Sequence, residues 1–323
     1  MKKMLFIINP RSGKEQIRPR LLKILDIFVK AGYRPEVLVT QSQGHAREIA
    51  EKWGGRVSMV VCSGGDGTLN EVISGLMHVK KKPVLGYIPA GSTNDFASSL
   101  KISKNMERAA QTVVEGTPFA VDVGKLGERH FVYIAAFGAF TDVSYMTSQE
   151  FKNILGHQAY MLEAVKRIVQ LKSYHMRVSC ETEQVEGEFI FGMVTNTKSV
   201  GGFKGLINQE VELDDGEFEV LLIKMPKTPL DLNNIISYMF FKEEKNEYVH
   251  KFRAHELKVE SELPVDWVVD GEFGGTYTEV EIVNCRQAIQ ILRDAQPEPE
   301  ISEEEEALQE AEIQETAGDA SVS

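Results

Sequence analysis

The chain has 323 residues, of which 42% are hydrophobic and 26% charged, and its formal net charge is −12 at pH 7. This length is enough for about two domains, and no apolar run approaches the roughly 18 residues of a membrane-spanning helix. Three widely spaced cysteines (Cys62, Cys180 and Cys285) and histidines without metal-binding spacing argue against a disulfide framework, a zinc site or another transition-metal site.

The N-terminus, "MKKMLFIINP", places two lysines before an apolar stretch, as an export signal does. The apolar core ends after about five residues at Asn9-Pro10, too early for a signal peptide. We therefore expect this segment to be the first strand of a cytoplasmic protein.

Residues 1–124 alternate apolar runs with amphipathic ones. This alternation predicts a parallel sheet flanked by helices. In the first helix, a one-sided stripe is expected from Leu21, Leu22, Leu25, Phe28 and Val29. The predicted strands are "MLFIINP", "RPEVLVT", "VSMVVCSGG" and "PVLGYIPAG", and the predicted helices are "QIRPRLLKILDIFVKAG", "HAREIAEKW" and "LNEVISGLMH".

Three stretches rich in Gly, Asn, Ser and Thr follow the predicted strands: "NPRSGK", "GGDGT" and "AGSTNDF". Ligands of parallel sheets bind beyond the carboxyl ends of the strands. The glycines of "GGDGT" open the backbone, and the helix that follows presents unpaired amides to an anion such as a phosphate. The Asp66 carboxylate would then bind a metal ion or interact with a nucleophile. The alternative is that Asp66 caps the helix and the glycines only shape a tight turn.

From residue 125 to 285 the pattern changes to consecutive strands with short turns, which predicts a β-sandwich or a strongly curved sheet. Helices are expected only in "QAYMLEAVKRIVQLK" and "PLDLNNIISYMFF", and residues 286–294 are expected to form a last strand that can return to the first domain. From Gln296 onwards, nine Glu and one Asp face no Lys or Arg, which gives a tail charge of −10 and leaves −2 on the body. Residues 296–323 are therefore expected to be a disordered acidic tail.

Four segments together resemble the diacylglycerol kinase catalytic-domain family, in particular its soluble bacterial lipid kinases: "NPRSGK" (9–14), "GGDGTLNE" (64–71), "GSTNDFA" (91–97) and "DGE" (270–272). They occur in the order and at the spacing of the family, and the resemblance covers about residues 1–294. It implies an α/β nucleotide-binding domain of the NAD kinase and diacylglycerol kinase type over 1–124, and a β-rich lipid-acceptor domain over 125–285. "GGDGT" by itself is shared with NAD kinases and phosphofructokinases.

The resemblance also implies the ATP site. Thr40 is the weakest member, because a threonine at the end of a strand needs no function. The implied nucleotide-binding residues are Asn9, Pro10, Arg11, Ser12, Gly13, Thr40, Gly65, Asp66, Gly67, Thr68, Leu69, Asn70, Glu71 and Thr93.

In "WVVDGEFGG", the resemblance makes Asp270 and Glu272 candidates for the general base that takes the proton of the lipid hydroxyl, with Glu272 favoured and Asp66 as a third catalytic residue. The residues alone are equally compatible with an exposed type I′ hairpin. The sequence does not separate Asp270 from Glu272.

The resemblance further implies a structural Mg²⁺ in "QEVELDDGEFEVLLI", bound by Asp215 and by main-chain oxygens of Glu212 and Glu217. The alternative is an acidic turn between two strands.

The resemblance thus implies an ATP-dependent kinase acting at the inner membrane face on diacylglycerol to give phosphatidic acid, with ATP and Mg²⁺ as cofactors. Alternatives are another acceptor (phosphatidylglycerol, a sphingoid base or a polyprenol) or a non-catalytic nucleotide-binding module. We expect no nucleic-acid partner, and a homodimer is left open. Basic residues could meet anionic headgroups and aromatic ones could line an acyl channel, although a solvated face and core packing explain them equally well. The basic candidates are Lys14, Arg18, Arg20, Lys166 and Arg167, and the aromatic ones Phe96, Phe137 and Phe140.

Overall fold

The structure is a computed structural model, and several predicted features lie outside the residues it describes. Those features are Thr93, Phe140, Lys166, Arg167, most of the helix predicted at 158–172 and the tail 296–323. The helix predicted from residue 229 is described only in part. The described residues are 1–91, 94–139, 172–197, 199–200, 203–204, 211–228, 230–232, 234–235, 238 and 246–294.

Four parallel strands form the N-terminal part of the sheet, in the order β2-β1-β3-β4. The two central strands are almost fully buried, as continuous apolar runs require when helices cover a sheet. The bounds of the four strands are β1 (Lys2–Ile8), β2 (Tyr33–Val39), β3 (Met59–Gly64) and β4 (Val84–Pro89).

Five α-helices connect or follow these strands: α1 (Ile17–Lys30), α2 (His45–Trp53), α3 (Asp66–Met77), α4 (Asp95–Ser99) and α5 (Met106–Glu115). Short 3₁₀ turns cover Ser12–Glu15 and Gly54–Arg56. Helix α1 packs against α5, and α2 packs against α3.

The stripe predicted for α1 is partly wrong. Leu22 is 82% exposed and Val29 is 47% exposed, whereas Ile24 and Phe28 are fully buried. The buried face of α1 is centred on Ile17, Ile24 and Phe28, which lie at i, i+7 and i+11. Leu22 and Val29 therefore fall on the solvent side of the helix.

The C-terminal part is β-rich, and its long strands pair antiparallel in the order β13-β12-β9-β7-β14-β15. Its core contains Trp267 and Phe137, whose ring centroids lie 5.0 Å apart. The strands are β5 (Thr117–Leu126), β6 (Arg129–Phe131), β7 (Ile134–Gly138), β8 (Tyr174–Ser179), β9 (Gln184–Thr195), β10 (Ser199–Val200), β11 (Phe203–Lys204), β12 (Phe218–Lys224), β13 (Val249–Ala254), β14 (Glu256–Val269) and β15 (Glu272–Arg293).

Strand β15 connects the two parts of the molecule. It pairs with β14 and β5 along most of its length, and near its end Ile291 pairs in parallel with Leu85 of β4. The register with β5 shifts between Cys285 and Ile289, where Gln287 has φ +50°. The last strand therefore carries the backbone from the antiparallel strands back to the parallel ones.

No helix among the described residues is long and apolar enough to cross a membrane. Phe96 and Phe137, named above as acyl-channel candidates, are each 1% exposed and belong to the hydrophobic core. Their burial assigns both rings to core packing in this structure.

Candidate active site

The carboxyl ends of the four parallel strands meet at one edge of the sheet, and the segments after β1, β2 and β3 line a cavity of about 350 Å³ there. Backbone hydrogen bonds join these ends: Asn9 N donates to Ser63 O (2.9 Å), Thr40 N to Ile8 O (2.9 Å) and Ala90 N to Gly64 O (2.8 Å). The lining residues are Asn9, Pro10, Arg11, Ser12, Thr40, Gln41, Ser42, Gln43, Gly65, Gly67, Thr68, Glu71 and Glu272.

The glycine loop lies between β3 and the N-terminus of α3. The first intrahelical bond runs from Leu69 N to Gly65 O (3.0 Å), so the amides of the first turn are directed beyond the helix end. A Cβ added at Gly67 would meet only Glu272 Oε1, at 3.9 Å, within a 4 Å radius. Gly67 thus leaves open the space between the helix end and Glu272, where an anion is favoured by the helix dipole.

The loop after β1 is tied to α3 by side chains. Asn9 Nδ2 donates to Thr68 Oγ1 (2.9 Å), and Gly65 N donates to Ser12 Oγ (3.3 Å). Gly13 has φ +52°, and a Cβ there would lie 1.9 Å from Ala90 O, so only glycine fits. These contacts bring the "NPRSGK" and "GGDGT" segments together, with the exposed Arg11 at the cavity.

Asp66 lies at the start of α3 but does not line the cavity. Its carboxylate accepts hydrogen bonds from Asp95 N (3.1 Å) and Phe96 N (3.3 Å), the first residues of α4. Burial raises the pKa of Asp66, while these amides lower it. The capping role weighed above is therefore present, but on α4 rather than on Asp66's own helix.

Leu69 and Asn70, predicted at the phosphates, face elsewhere. Leu69 is fully buried in the core. Asn70 Nδ2 donates to Asp270 Oδ2 and to His130 O (3.1 Å), so it joins α3 to the β-rich part.

Glu71 lines the cavity, yet both its carboxylate oxygens accept hydrogen bonds from main-chain amides. Gly44 N donates to Oε1 (2.7 Å) and Ala46 N donates to Oε2 (3.0 Å). The carboxylate is thus directed at the start of α2 rather than at a phosphate.

Sequence reasoning missed Gln41, Ser42 and Gln43 in the cavity wall. These residues follow directly after β2, so the rule that placed the other loops at strand ends could have found them. It also missed the buried Asp95, which lies beside Asp66 within the "GSTNDFA" segment.

Asp270 occupies a two-residue turn between β14 and β15, with φ +48° at Asp270 and φ +84° at Gly271, as type I′ turns require. The turn is not exposed at Asp270, which is only 6% accessible. Oδ1 accepts from Tyr133 N (3.1 Å) and Ile134 N (2.9 Å), and Oδ2 accepts from Val132 N (2.7 Å) and from Asn70. Burial raises the pKa of Asp270 to about 6, although these donors lower it.

Glu272, the first residue of β15, is exposed and lines the cavity. It faces the first turn of α3 across the open space at Gly67. The structure therefore separates the two carboxylates that the sequence left equivalent: Asp270 is enclosed by donors, and Glu272 faces the cavity.

The predicted magnesium residues lie in the turn before β12, and the guanidinium of Arg253 pairs with the carboxylates of two of them, Asp215 and Glu217. Arg253 contacts Asp215, Glu217 Oε2 (2.9 Å) and Glu219 Oε1 (3.5 Å). Glu212 is exposed, and within the described residues no group of three or more His, Cys, Asp or Glu could hold a metal ion. Of the implied Mg²⁺ ligands, the Asp215 carboxylate is thus already paired with the positive charge of Arg253. The main-chain oxygens of Glu212 and Glu217 stay a prediction.

Sequence reasoning also missed Asp122, another buried carboxylate. It accepts from Gly216 N (2.6 Å) and Gln287 N (2.6 Å), and thereby ties the acidic turn to the bend in β15. Burial raises its pKa, and both amides lower it.

Comparison with known proteins identifies the family of the chain. Residues 3–126 match the model of the diacylglycerol kinase catalytic domain, and residues 137–293 match that of the YegS C-terminal NAD kinase beta sandwich-like domain. A diacylglycerol kinase of Staphylococcus saprophyticus is 32% identical over 293 residues, covering 90% of this chain and 95% of that protein. One of Bacillus subtilis is 31% identical over 294 residues, covering 90% and 96%. The chain belongs to the diacylglycerol kinase family.

A solved structure of a putative diacylglycerol kinase from Bacillus anthracis is 25% identical and superposes with a TM-score of 0.75, covering 91% of this chain and 98% of that one. A second diacylglycerol kinase structure from the same organism gives a TM-score of 0.72 at 22% identity and shows the same fold. The two-domain fold with a C-terminal β-rich domain is thus that of the diacylglycerol kinase family, and the resemblance seen in the sequence is confirmed.

Proposed function

We propose that the protein is an ATP-dependent lipid kinase that phosphorylates the free hydroxyl of diacylglycerol and yields phosphatidic acid and ADP. The observation that carries this proposal is the position of Glu272, a carboxylate of the β-rich part that faces the N-terminus of α3 across the cavity. In this proposal residues 1–124 with 286–294 bind the nucleotide, and residues 125–285 bind the lipid.

The cavity suits a nucleoside triphosphate supplied as its Mg²⁺ complex. The first-turn amides of α3, with the space at Gly67, offer donors and partial positive charge to the phosphates, and Arg11 adds a full charge. Phosphoryl transfer needs mainly alignment and charge neutralisation from the protein, and this arrangement offers both.

In the transfer step, the lipid hydroxyl oxygen attacks the γ-phosphorus. The bond from that phosphorus to the β–γ bridging oxygen breaks, ADP leaves, and the hydroxyl proton passes to Glu272. Asp270 is poorly placed to accept it, because a carboxylate has about four lone-pair sites and four N–H donors already point at its oxygens. We assign Asp270 the role of holding the turn that presents Glu272.

The acceptor lies in the membrane, so the kinase would work as a peripheral protein at the inner membrane face, within phospholipid biosynthesis. Diacylglycerol is the acceptor implied by the names of the relatives. Phosphatidylglycerol, a sphingoid base and a polyprenol are the acceptors to compare with it.

The test is transfer of labelled phosphate from ATP to this panel of lipids in mixed micelles. We expect diacylglycerol to be the preferred acceptor and Glu272→Gln to lower kcat by about 100-fold or more, as loss of a general base does, while ATP still binds. Glu281→Gln is the matched control, because Glu281 is an exposed glutamate on the same strand, and it should retain wild-type turnover. ATP binding without phosphorylation of any lipid would refute the kinase assignment and favour a nucleotide-binding module.

A further inference from the structure

Helix α2 is capped by a residue from another helix. Its N-cap residue, Gly44 (φ +81°), has no side chain with which to bond the first free amides, whereas helices usually use Ser, Thr, Asp or Asn there. Glu71 of α3, 27 residues further along the chain, supplies both acceptors instead, to Gly44 N and Ala46 N. The start of α2 therefore depends on Glu71.

The same hydrogen bonds explain how the negatively charged Glu71 side chain can line a cavity in which we expect phosphates to bind. Two amide donors and the positive end of the α2 dipole offset the charge of Glu71. A carboxylate used in this way is not free to bind a metal ion, and its repulsion of a nearby phosphate is reduced.

The segment that Glu71 restrains is the cavity wall Gln41–Ser42–Gln43. At one end Thr40 N bonds to Ile8 O, and at the other end Gly44 is held by Glu71. Gln41 is further fixed by its own bonds, from its N to His45 Nδ1 (3.1 Å) and from its Nε2 to Val39 O (3.0 Å). The three side chains are exposed and uncharged, unlike the phosphate-binding features at Arg11 and α3. Amide and hydroxyl groups pair with the polar edges of a base or a ribose.

We infer that Glu71 is a positioning residue that fixes the Gln41–Ser42–Gln43 wall and thereby sets affinity for the nucleoside end of the nucleotide. The inference rests on the proposed function insofar as the cavity binds ATP. It does not depend on which lipid is phosphorylated, or on transfer itself.

The test compares Glu71→Ala and Glu71→Gln with Glu48→Gln. Glu48 is exposed in the first turn of α2, so its substitution removes a negative charge from the same helix end without removing the cap. Dissociation constants for ATP and ADP are measured by calorimetry, exchange of the amides in 41–46 by hydrogen–deuterium exchange, and KM and kcat by lipid phosphorylation.

We expect Glu71→Ala to weaken ATP and ADP by the same factor, about tenfold for the loss of two charge-assisted hydrogen bonds. Glu71→Gln, which keeps one acceptor oxygen, should weaken them less. Exchange in 41–46 should rise, KM for ATP should rise, and kcat and the lipid KM should stay within about twofold, because the altered contacts bind the ground and transition states equally. Glu48→Gln should match the wild type.

Three results would overturn the inference: unchanged nucleotide affinity in Glu71→Ala, a greater loss for ATP than for ADP, or a fall in kcat with KM for ATP unchanged. The second and third would place Glu71 at the phosphates. If the wild-type protein binds ATP but phosphorylates no lipid, the kinase assignment fails and the binding arm still decides the role of Glu71. If it binds neither nucleotide, both proposals fail.

Discussion

Replacing Arg253 with methionine tests whether a guanidinium, rather than a metal ion, holds the acidic turn before β12. The change removes the cation that contacts Asp215, Glu217 and Glu219, whose side chains are 19%, 30% and 11% exposed. Breaking a fully buried ion pair costs about 3–5 kcal/mol. Because the Arg253 side chain is 44% exposed, solvent screening reduces our expectation to about 1–3 kcal/mol.

An unfolding entropy of about 2.1 cal/mol/K per residue gives about 0.6 kcal/mol/K for a protein of this size, so that loss corresponds to a fall in Tm of roughly 2–5 °C. The assay is thermal unfolding without nucleotide, in excess EDTA and in excess MgCl₂, for the wild type, Arg253→Met and Arg177→Met. Arg177 is the matched control, since it pairs with a single exposed glutamate, Glu186, and its loss should change Tm little. The wild-type Tm should be the same in EDTA and in MgCl₂.

This reasoning would be refuted if EDTA lowered the wild-type Tm by as much as the Arg253→Met substitution does, because a divalent cation would then be what stabilises the turn. A rise in Tm with MgCl₂ in Arg253→Met only would support it, since the vacated carboxylates would then be free to take a cation.

Two further predictions concern the glycine loops and the acidic turn. Gly67→Ala should leave Tm within about 1 °C but raise KM for ATP, because its Cβ has room in the fold yet occupies the space proposed for the phosphates. Gly13→Ala should lower Tm sharply, because its Cβ would overlap Ala90 O. Equal losses of Tm in the two variants would contradict this prediction. Burial raises the pKa of Glu219 from 4.5 to about 7, although Arg253 lowers it. The protonated form is thus favoured on folding, and this stability is present below pH 4.5 and lost as pH rises through 7. Urea unfolding should show the wild type about 1 kcal/mol more stable at pH 6 than at pH 8 from this group, and Glu219→Gln should remove that difference; an unchanged pH difference in the variant would assign it elsewhere.

The position of the cavity could be predicted because it follows from local patterns. Apolar runs such as the one before Asn9 mark buried strands, and parallel strands bring the segments after them to one edge. The same rule extends to Gln41–Gln43, which the sequence reasoning passed over because those residues carry no glycine signature.

The direction of individual side chains could not be read in this way. Periodicity placed Leu22 on the buried face of α1, but that face is centred on Ile17, Ile24 and Phe28, which leaves Leu22 in solvent. Asp270 and Glu272 are two residues apart and chemically alike, and only packing against residues 132–134 and Asn70 makes one a buried acceptor and the other a cavity residue.

The sequence by itself therefore determined the alternation of strands and helices up to β4, two of the loops that line the cavity ("NPRSGK" and "GGDGT") and the family, because each is encoded in spacing along the chain. The tertiary structure alone decided that Glu71 holds the start of α2, that Asp66 caps α4 and that Arg253 pairs with Asp215. The physical reason is distance along the chain: Asp215 and Arg253 are 38 residues apart, and Asn70 and Asp270 are 200 apart. Their pairing is set by how separate elements pack, which no local pattern records.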